Sequence, residues 1–227
     1  MSNAEIAAAY RGVRDRVCEL VAIVPSEQLE WMTPATPEWR VHDVVAHLTG
    51  VTADIVNGNL DGVATDAWTA AHVDARRDIP IAEVLTEWKE HGERVEAMVN
   101  AFPPDPARQL VLDAATHEQD IRGALGAPGA RDSDAVAIGA EWGLGFVGAT
   151  LDAADAGALA VEVGDNLRVL GTGDPTATLR ADHFELLRVM VGRRSLEQIR
   201  ALDWEGDARS ELLVLGLFTP RPTPLHE

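Results

Sequence analysis

The sequence has a single cysteine, Cys18, among its 227 residues. One cysteine excludes an intrachain disulfide and any zinc site built from several thiolates. Basic residues are scarce as well: 19 lysines and arginines stand against 37 acidic residues, which gives a formal charge of −18. A nucleic-acid backbone or an anionic membrane surface is therefore not expected as a general partner, because either would repel this chain.

Long apolar runs are also missing. The longest run, residues 212–218, is far shorter than the roughly 20 residues that a membrane-spanning helix needs. Residues 1–6 carry neither the basic start nor the apolar segment of a secretory signal. Together with the single cysteine, these absences favour a cytoplasmic protein that does not enter a membrane.

Apolar residues recur at helical spacing through the first two thirds of the chain. The long segments that show this spacing are residues 6–24, 41–55, 81–98 and 110–125. Gly58 and Gly126 follow two of them, at positions where a glycine commonly ends a helix. A shorter helix is expected over residues 68–77. Four long amphipathic helices with modest connections predict a helical bundle.

The pattern changes after a further predicted helix over residues 133–154. Three short strands are predicted next, over residues 158–163, 167–170 and 176–179. Helical spacing then returns in residues 184–191, 196–202 and 207–215. We therefore predict a mainly α protein, with a helical bundle in residues 1–155 and a small α+β module in residues 156–227.

The clearest functional signal is the segment Asp113-Ala-Ala-Thr-His117. Four-residue spacing puts both side chains on one face of a helix. Carboxylate and neutral imidazole are common ligands of divalent transition metals. A third ligand is needed, and His47 lies on the apolar stripe of another predicted helix. These residues indicate a metal site formed by His47, Asp113 and His117.

Plainer interpretations of the same residues stay open. A histidine on an apolar face is more often a hydrogen-bonded core residue, and an Asp/His pair at this spacing is often a surface hydrogen bond. Asp120 is placed to orient the His117 imidazole, whereas Glu118 points away from Asp113. Asp43, one turn before His47, either binds that imidazole or favours the positive end of its helix.

Other polar residues give weaker signals. His91 is a possible fourth ligand, although core packing is the better interpretation, and His72 is expected to be a partly exposed helix residue. Arg193 and Arg194 follow Gly192 and could present guanidinium groups to a substrate carboxylate. A solvated helix end is the alternative for this arginine pair.

Several segments resemble the mycothiol-dependent maleylpyruvate isomerase family, which belongs to the DinB-like metal-binding helical bundles. The similar segments are Thr33-Pro-Ala-Thr-Pro-Glu-Trp39-Arg-Val-His-Asp43-Val-Val-Ala-His47-Leu48, Trp68-Thr-Ala-Ala71 with Ala75-Arg-Arg-Asp78, Asp113-Ala-Ala-Thr-His117-Glu-Gln-Asp120 and Gly192-Arg-Arg-Ser-Leu-Glu-Gln-Ile-Arg200. The resemblance implies a DinB-like four-helix bundle followed by a small C-terminal α+β module.

The resemblance also implies a zinc ion held by His47, Asp113 and His117, with mycothiol as a thiol co-substrate. This chain departs from the family pattern at Asp113, where the family usually has glutamate. Arg193 or Arg194 would then hold an acidic substrate. The expected function is a metal-dependent enzyme that uses a metal-activated low-molecular-weight thiol for isomerisation or S-transfer on a small electrophile.

Two other functions remain open on the sequence. The first is a non-catalytic bundle that binds a ligand or partner and retains a structural or vestigial metal site. The second is a metal hydrolase that activates water and needs no thiol.

Overall fold

The structure is a computed structural model that describes residues 1–99, 101, 103–215 and 218–227. The chain forms two compact units, Met1–Gly129 together with Glu227, and Ala130–His226. Most described residues are helical, and the strands lie mainly in the second unit. The prediction of a helical bundle with a small α+β module is therefore confirmed.

The first unit contains the predicted bundle. Its elements are α1 (Asn3–Ala22), α2 (Ser26–Leu29), β1 (Met32–Thr33), β2 (Thr36–Arg40), α3 (Val41–Asn57), α4 (Asp66–Arg76), α5 (Ile81–Val99) and α6 (Pro104–Leu125). Helix α1 packs on α5 and α6, while α3 packs on α4, α5 and α6. The four long helices α1, α3, α5 and α6 thus share one core.

Local sequence sets the ends of these helices. The Ser2 side chain accepts a hydrogen bond from the Glu5 backbone N–H, and the Glu5 carboxylate accepts one from the Ser2 backbone, which starts α1 with a capping box. Helices α3 and α6 end at Gly58 and Gly126, both in the left-handed conformation. Glycine adopts this conformation at little cost, so both predicted stops are confirmed.

One buried carboxylate fixes α6 against α1. Glu118 is fully buried and accepts two hydrogen bonds from the Arg16 guanidinium, at 2.8 and 2.6 Å. Arg122, one turn further along α6, donates another at 3.0 Å. Because Glu118 faces α1, its neighbour His117 projects about 100° away around the helix axis. This agrees with the prediction that Glu118 points away from Asp113.

The second unit combines a long helix with a small mixed sheet. Its elements are α7 (Asp134–Ala154), β3 (Leu159–Val163), β4 (Asn166–Leu170), β5 (Ala177–Arg180), α8 (His183–Met190), α9 (Leu196–Arg200), β6 (Asp203–Gly206) and α10 (Ser210–Leu213). The strand order is β4-β3-β5-β6. Strand β3 pairs antiparallel with β4 and parallel with β5, and β6 pairs antiparallel with β5.

Two strand features are absent from the sequence-based prediction. The hairpin of β1 and β2 occupies a stretch whose prolines, Pro34 and Pro37, indicate a loop. The β6 segment Asp203–Gly206 has no apolar alternation, since only Trp204 is partly buried. These three strands form because a neighbouring strand supplies backbone partners, and the sequence of each strand does not reveal which segment is its partner.

Helix α7 lies in the second unit, where it packs on α8 and β4. The sequence patterns group it with the bundle, because helical periodicity reports that a face is buried and not which element buries it. The compact units part at Gly129. The division into a bundle domain of residues 1–155 and an α+β module of residues 156–227 stays a prediction.

None of the helices within the described residues is long and apolar enough to cross a membrane. The single cysteine, Cys18, is buried in α1. Burial raises the pKa of its thiol to about 11. The thiol is therefore protonated at neutral pH and is a poor nucleophile.

The bundle core contains one polar link that can be tested by substitution. The Trp88 indole Nε1–H donates to the Tyr10 hydroxyl at 2.9 Å, and both side chains are almost fully buried. In Tyr10→Phe the indole N–H loses its acceptor, so we expect the free energy of unfolding to fall by about 1–3 kcal/mol. Urea denaturation of the metal-free protein measures this change.

Thr86→Val is the matched control, because the Thr86 hydroxyl is exposed and donates to the Ala82 carbonyl one turn away. Its unfolding free energy should stay close to that of the wild type. Equal stability of Tyr10→Phe and the wild type would contradict the assigned role of the hydrogen bond.

Candidate metal centre

The packing of α3 on α6 brings the three sequence-predicted ligands together. His47 lies on α3, whereas Asp113 and His117 lie one turn apart on α6. One donor atom from each residue lies within 4.8 Å of the other two. Residues separated by more than 60 positions in the sequence thus converge on one point, which spacing alone does not establish.

The Asp113 carboxylate stands between the two imidazoles. Its Oδ1 lies 3.6 Å from His47 Nε2 and 3.6 Å from His117 Nε2. Two ligand atoms that each lie about 2.1 Å from a zinc ion at a tetrahedral angle are about 3.4 Å apart. The observed separations come close to this value, so the shorter aspartate side chain reaches the position that a ligand requires.

The second carboxylate oxygen supplies independent support for a cation. Asp113 Oδ2 is buried and has no hydrogen-bond partner among the described residues. A buried, unpaired carboxylate oxygen is costly, and a bound divalent cation would compensate for it. The donor set of two imidazoles and one carboxylate is typical of zinc and related transition metals.

The orientation of His117 is set by a residue one turn along α6. His117 Nδ1 lies 3.0 Å from Asp120 Oδ2, and Asp120 is almost fully buried. Because a carboxylate accepts and does not donate, Nδ1 of the neutral imidazole carries the proton. The Nε2 lone pair of His117 then faces Asp113 and is available to a metal, as predicted for an Asp120 that orients this ring.

Asp43 has a different role from Asp120. It accepts hydrogen bonds from the Arg40 backbone N–H at 2.9 Å and from the Arg40 guanidinium at 3.0 and 2.8 Å. Asp43 therefore has the second of its two predicted roles, at the N-terminus of α3. The alternative prediction, a hydrogen bond to His47, is wrong. Among the described residues, His91 does not belong to the ligand cluster; its Nδ1 lies 3.7 Å from the Glu87 carboxylate of the same helix.

The expectation that His72 is partly exposed is also wrong. This residue of α4 is 4% exposed, and its Nδ1 lies 3.3 Å from Nδ1 of His47. Its other ring nitrogen, Nε2, lies 2.9 Å from Asp54 Oδ2. The sequence contained one signal of this close contact, the glycine at position 50 in α3. A Cβ atom at Gly50 would lie 2.3 Å from the His72 ring.

Trp39 covers the two candidate histidine ligands. Its ring centroid lies 5.2 Å from that of His47 and 5.7 Å from that of His117, with tilted planes. Trp39 belongs to β2, the strand that leads directly into α3. The indole thus packs against both imidazoles.

Burial and charge together favour the deprotonated forms that a metal needs. Burial lowers the pKa of His47 below its ordinary value of 6.5, and the nearby Asp113 carboxylate only partly offsets this. Burial alone would raise the pKa of Asp113, but attraction to the His47 and His117 imidazoles brings it below the ordinary value of 3.8. Both shifts keep the site ready to bind a cation.

The two arginines predicted to hold a substrate belong to the second unit. Arg194 is buried, and its guanidinium donates two hydrogen bonds to the Glu185 carboxylate, at 2.6 and 3.0 Å. Arg193 is half-buried and donates to the Val191 carbonyl at 2.9 Å. The structure thus gives Arg194 a carboxylate partner within its own unit, and the substrate role of Arg193 and Arg194 stays a prediction.

The lowered pKa of His47 predicts how stability depends on pH. Between the lowered folded pKa and the ordinary unfolded pKa, the unfolded chain binds more protons, so the native state loses stability as pH falls. The metal-free wild type should therefore lose more unfolding free energy than His47→Gln between about pH 7.5 and about pH 5. Urea denaturation of both proteins at both pH values measures these free energies. Equal losses in the wild type and in His47→Gln would contradict a lowered pKa of His47.

The chain matches one family model, over residues 10–131, which is more than half of its length. The description of that model is "Mycothiol maleylpyruvate isomerase N-terminal domain". No curated protein and no solved structure matches the chain. The matched residues include all three candidate ligands together with Trp39 and His72. The chain therefore belongs to the mycothiol maleylpyruvate isomerase N-terminal domain family.

Proposed function

We propose that this protein is a metal-dependent enzyme that activates a low-molecular-weight thiol, mycothiol, for isomerisation or S-transfer on a small electrophile. Zinc is the proposed metal, and His47, Asp113 and His117 are its proposed ligands. The observation that carries the proposal is the convergence of one donor atom from each residue within 4.8 Å, at a carboxylate whose second oxygen, Oδ2 of Asp113, is buried without a hydrogen-bond partner among the described residues. Membership of the family supports the choice of thiol.

The donor set suits activation of a thiol. When bound, a divalent ion with an exchangeable position lowers the pKa of a thiol and so supplies a thiolate at neutral pH. Two neutral imidazoles and one carboxylate leave a net positive charge for such an anion to neutralise. Asp120 keeps the His117 lone pair directed at the site by holding the proton on Nδ1.

The surroundings of the ligands protect a thiolate from water. His47 and His117 are less than one-tenth exposed, and the Trp39 indole lies over both rings. Asp113 keeps 32% of its side chain exposed, so one side of the cluster is accessible to small molecules. A thiolate at such a site would be less solvated and therefore a better nucleophile, while the exposed side would admit the electrophile.

Two reactions fit this arrangement. A thiolate that adds to an activated double bond leaves a single bond, about which the substrate can rotate before the thiolate departs, and the outcome is isomerisation. A thiolate that displaces a leaving group stays attached to the substrate, and the outcome is S-transfer. Arg193 or Arg194 is proposed to bind the carboxylate of an acidic substrate in either reaction.

Metal binding is the first test. We expect the purified metal-free wild type to bind one equivalent of Zn²⁺ or Co²⁺. His117→Ala should bind it more than about 100-fold more weakly, because loss of a supporting residue alone typically costs 10–100-fold. Competition with a chromophoric chelator measures both affinities.

His91→Ala is the matched control, because His91 is a helical histidine that lies outside the ligand cluster. It should bind metal as the wild type does. Asp113→Glu, which introduces the residue usual in the family, should retain binding, whereas Asp113→Asn should lose most of it. A wild type that binds no divalent ion, or a His117→Ala variant with unchanged affinity, would refute the proposed centre.

Thiol binding separates the enzyme from the alternatives. Calorimetric titration with mycothiol should give binding and proton release for the zinc-loaded wild type, and neither for the metal-free protein. Thiol binding that persists in metal-free His47→Ala and His117→Ala would instead indicate a non-catalytic ligand-binding bundle. Turnover of a test electrophile without added thiol would indicate a metal hydrolase that uses water.

A further inference from the structure

We propose that His72 and Asp54 are positioning residues that set the tautomer and the ring orientation of the metal ligand His47. This inference rests on the proposed function, since it assigns a role toward the same metal. It adds a chain that runs from the ligand through a second buried imidazole, His72, to the partly buried carboxylate of Asp54. His72 lies on α4 and Asp54 near the end of α3, so the chain also links these two helices.

The contacts of the chain are continuous. Nδ1 of His47 lies 3.3 Å from Nδ1 of His72, and the two ring centroids are 5.4 Å apart. Nε2 of His72 lies 2.9 Å from Asp54 Oδ2. Nδ1 of His47 is thus engaged with His72. The other nitrogen of His47, Nε2, faces Asp113, where the metal is proposed to bind.

The chemistry of the terminal carboxylate gives the chain a direction. Asp54 accepts, so Nε2 of a neutral His72 carries the proton and its Nδ1 presents a lone pair. That lone pair can only accept from His47, which places the His47 proton on Nδ1. The remaining His47 nitrogen, Nε2, then has its lone pair free at the ligand cluster. The direction of the hydrogen bonds thus fixes the tautomer that a metal requires.

Packing holds the His72 ring in its place. The ring lies against the α3 backbone at Gly50, where a Cβ atom would be only 2.3 Å away. On another side, the Trp68 ring meets it edge to face at a centroid distance of 4.1 Å. A ring confined in this way cannot turn away from His47 without displacing a helix or an indole.

The two histidine ligands are therefore supported differently. His117 bonds directly to the carboxylate of Asp120, whereas His47 reaches the carboxylate of Asp54 only through His72. Supporting residues of this kind orient a ligand, and their loss typically weakens metal binding by 10–100-fold. We expect a loss of about 10–100-fold when His72 can no longer accept from His47.

The test compares three substitutions by metal affinity, measured through chelator competition with Zn²⁺ and Co²⁺. His72→Phe keeps a ring but removes the acceptor, and it should weaken binding by about 10–100-fold. His72→Asn places an amide oxygen near the former Nδ1 and should recover part of that loss. Asp54→Asn should weaken binding to a smaller extent, and it should have no further effect in a His72→Phe background, because the two act through one chain.

Matched controls are available within the same unit. His91→Phe changes a histidine outside the chain, and Asp74→Asn changes an exposed aspartate of α4 that pairs with Arg77. Both should bind metal as the wild type does. Unfolding of the metal-free variants by urea shows whether a loss of metal affinity follows from a loss of stability. If His72→Phe does not fold, Asp54→Asn and His72→Asn test the inference in its place.

Long-range ¹H–¹⁵N NMR of the metal-free protein reads the tautomer directly. The metal-free wild type should show the His47 proton on Nδ1, and in metal-free His72→Phe that proton should move in part to Nε2, a change that a packing role for His72 does not require. If the wild type binds metal and His72→Phe and His72→Asn bind it with the same affinity as the wild type, this inference is overturned and the proposed function is left intact. A wild type that binds no metal would overturn both.

Discussion

The Asp113 carboxylate, held between two imidazoles, is the interaction on which the candidate site depends. Its Oδ1 lies 3.6 Å from a nitrogen of each histidine, and its buried Oδ2 has no partner among the described residues. A bundle that served only stability would be expected to fill this position with an apolar residue, because burying an unpaired oxygen costs free energy. The sequence has a carboxylate there, and a bound cation would compensate for its charge.

The rest of the bundle holds the two ligand-bearing helices in register. Glu118 is bound by Arg16 of α1, which fixes the rotation of α6 and turns His117 toward α3. Gly50 lets α4 approach α3 so closely that the His72 ring contacts its backbone. Trp39, at the entry to α3, lies over both histidines. Each contact limits one degree of freedom of a ligand, as a preorganised metal site requires.

The family match and the geometry of the site concern the same part of the chain. The family model covers residues 10–131, and the three donor atoms that converge in the structure all lie within that segment. Oδ1 of Asp113 lies 3.6 Å from a nitrogen of each imidazole, so the aspartate side chain spans the distance between α6 and the histidine of α3.

The sequence by itself determined the four long helices and the ends of two of them at Gly58 and Gly126, and it identified His47, Asp113 and His117 as candidate ligands. Helical periodicity, capping and i,i+4 spacing are local properties, so they can be read from the chain. Only the tertiary structure decided that α7 packs in the second unit, that Asp43 binds Arg40, and that His72 and Asp54 stand behind His47. These contacts join residues from different elements, and periodicity reports that a face is buried without naming the element that covers it.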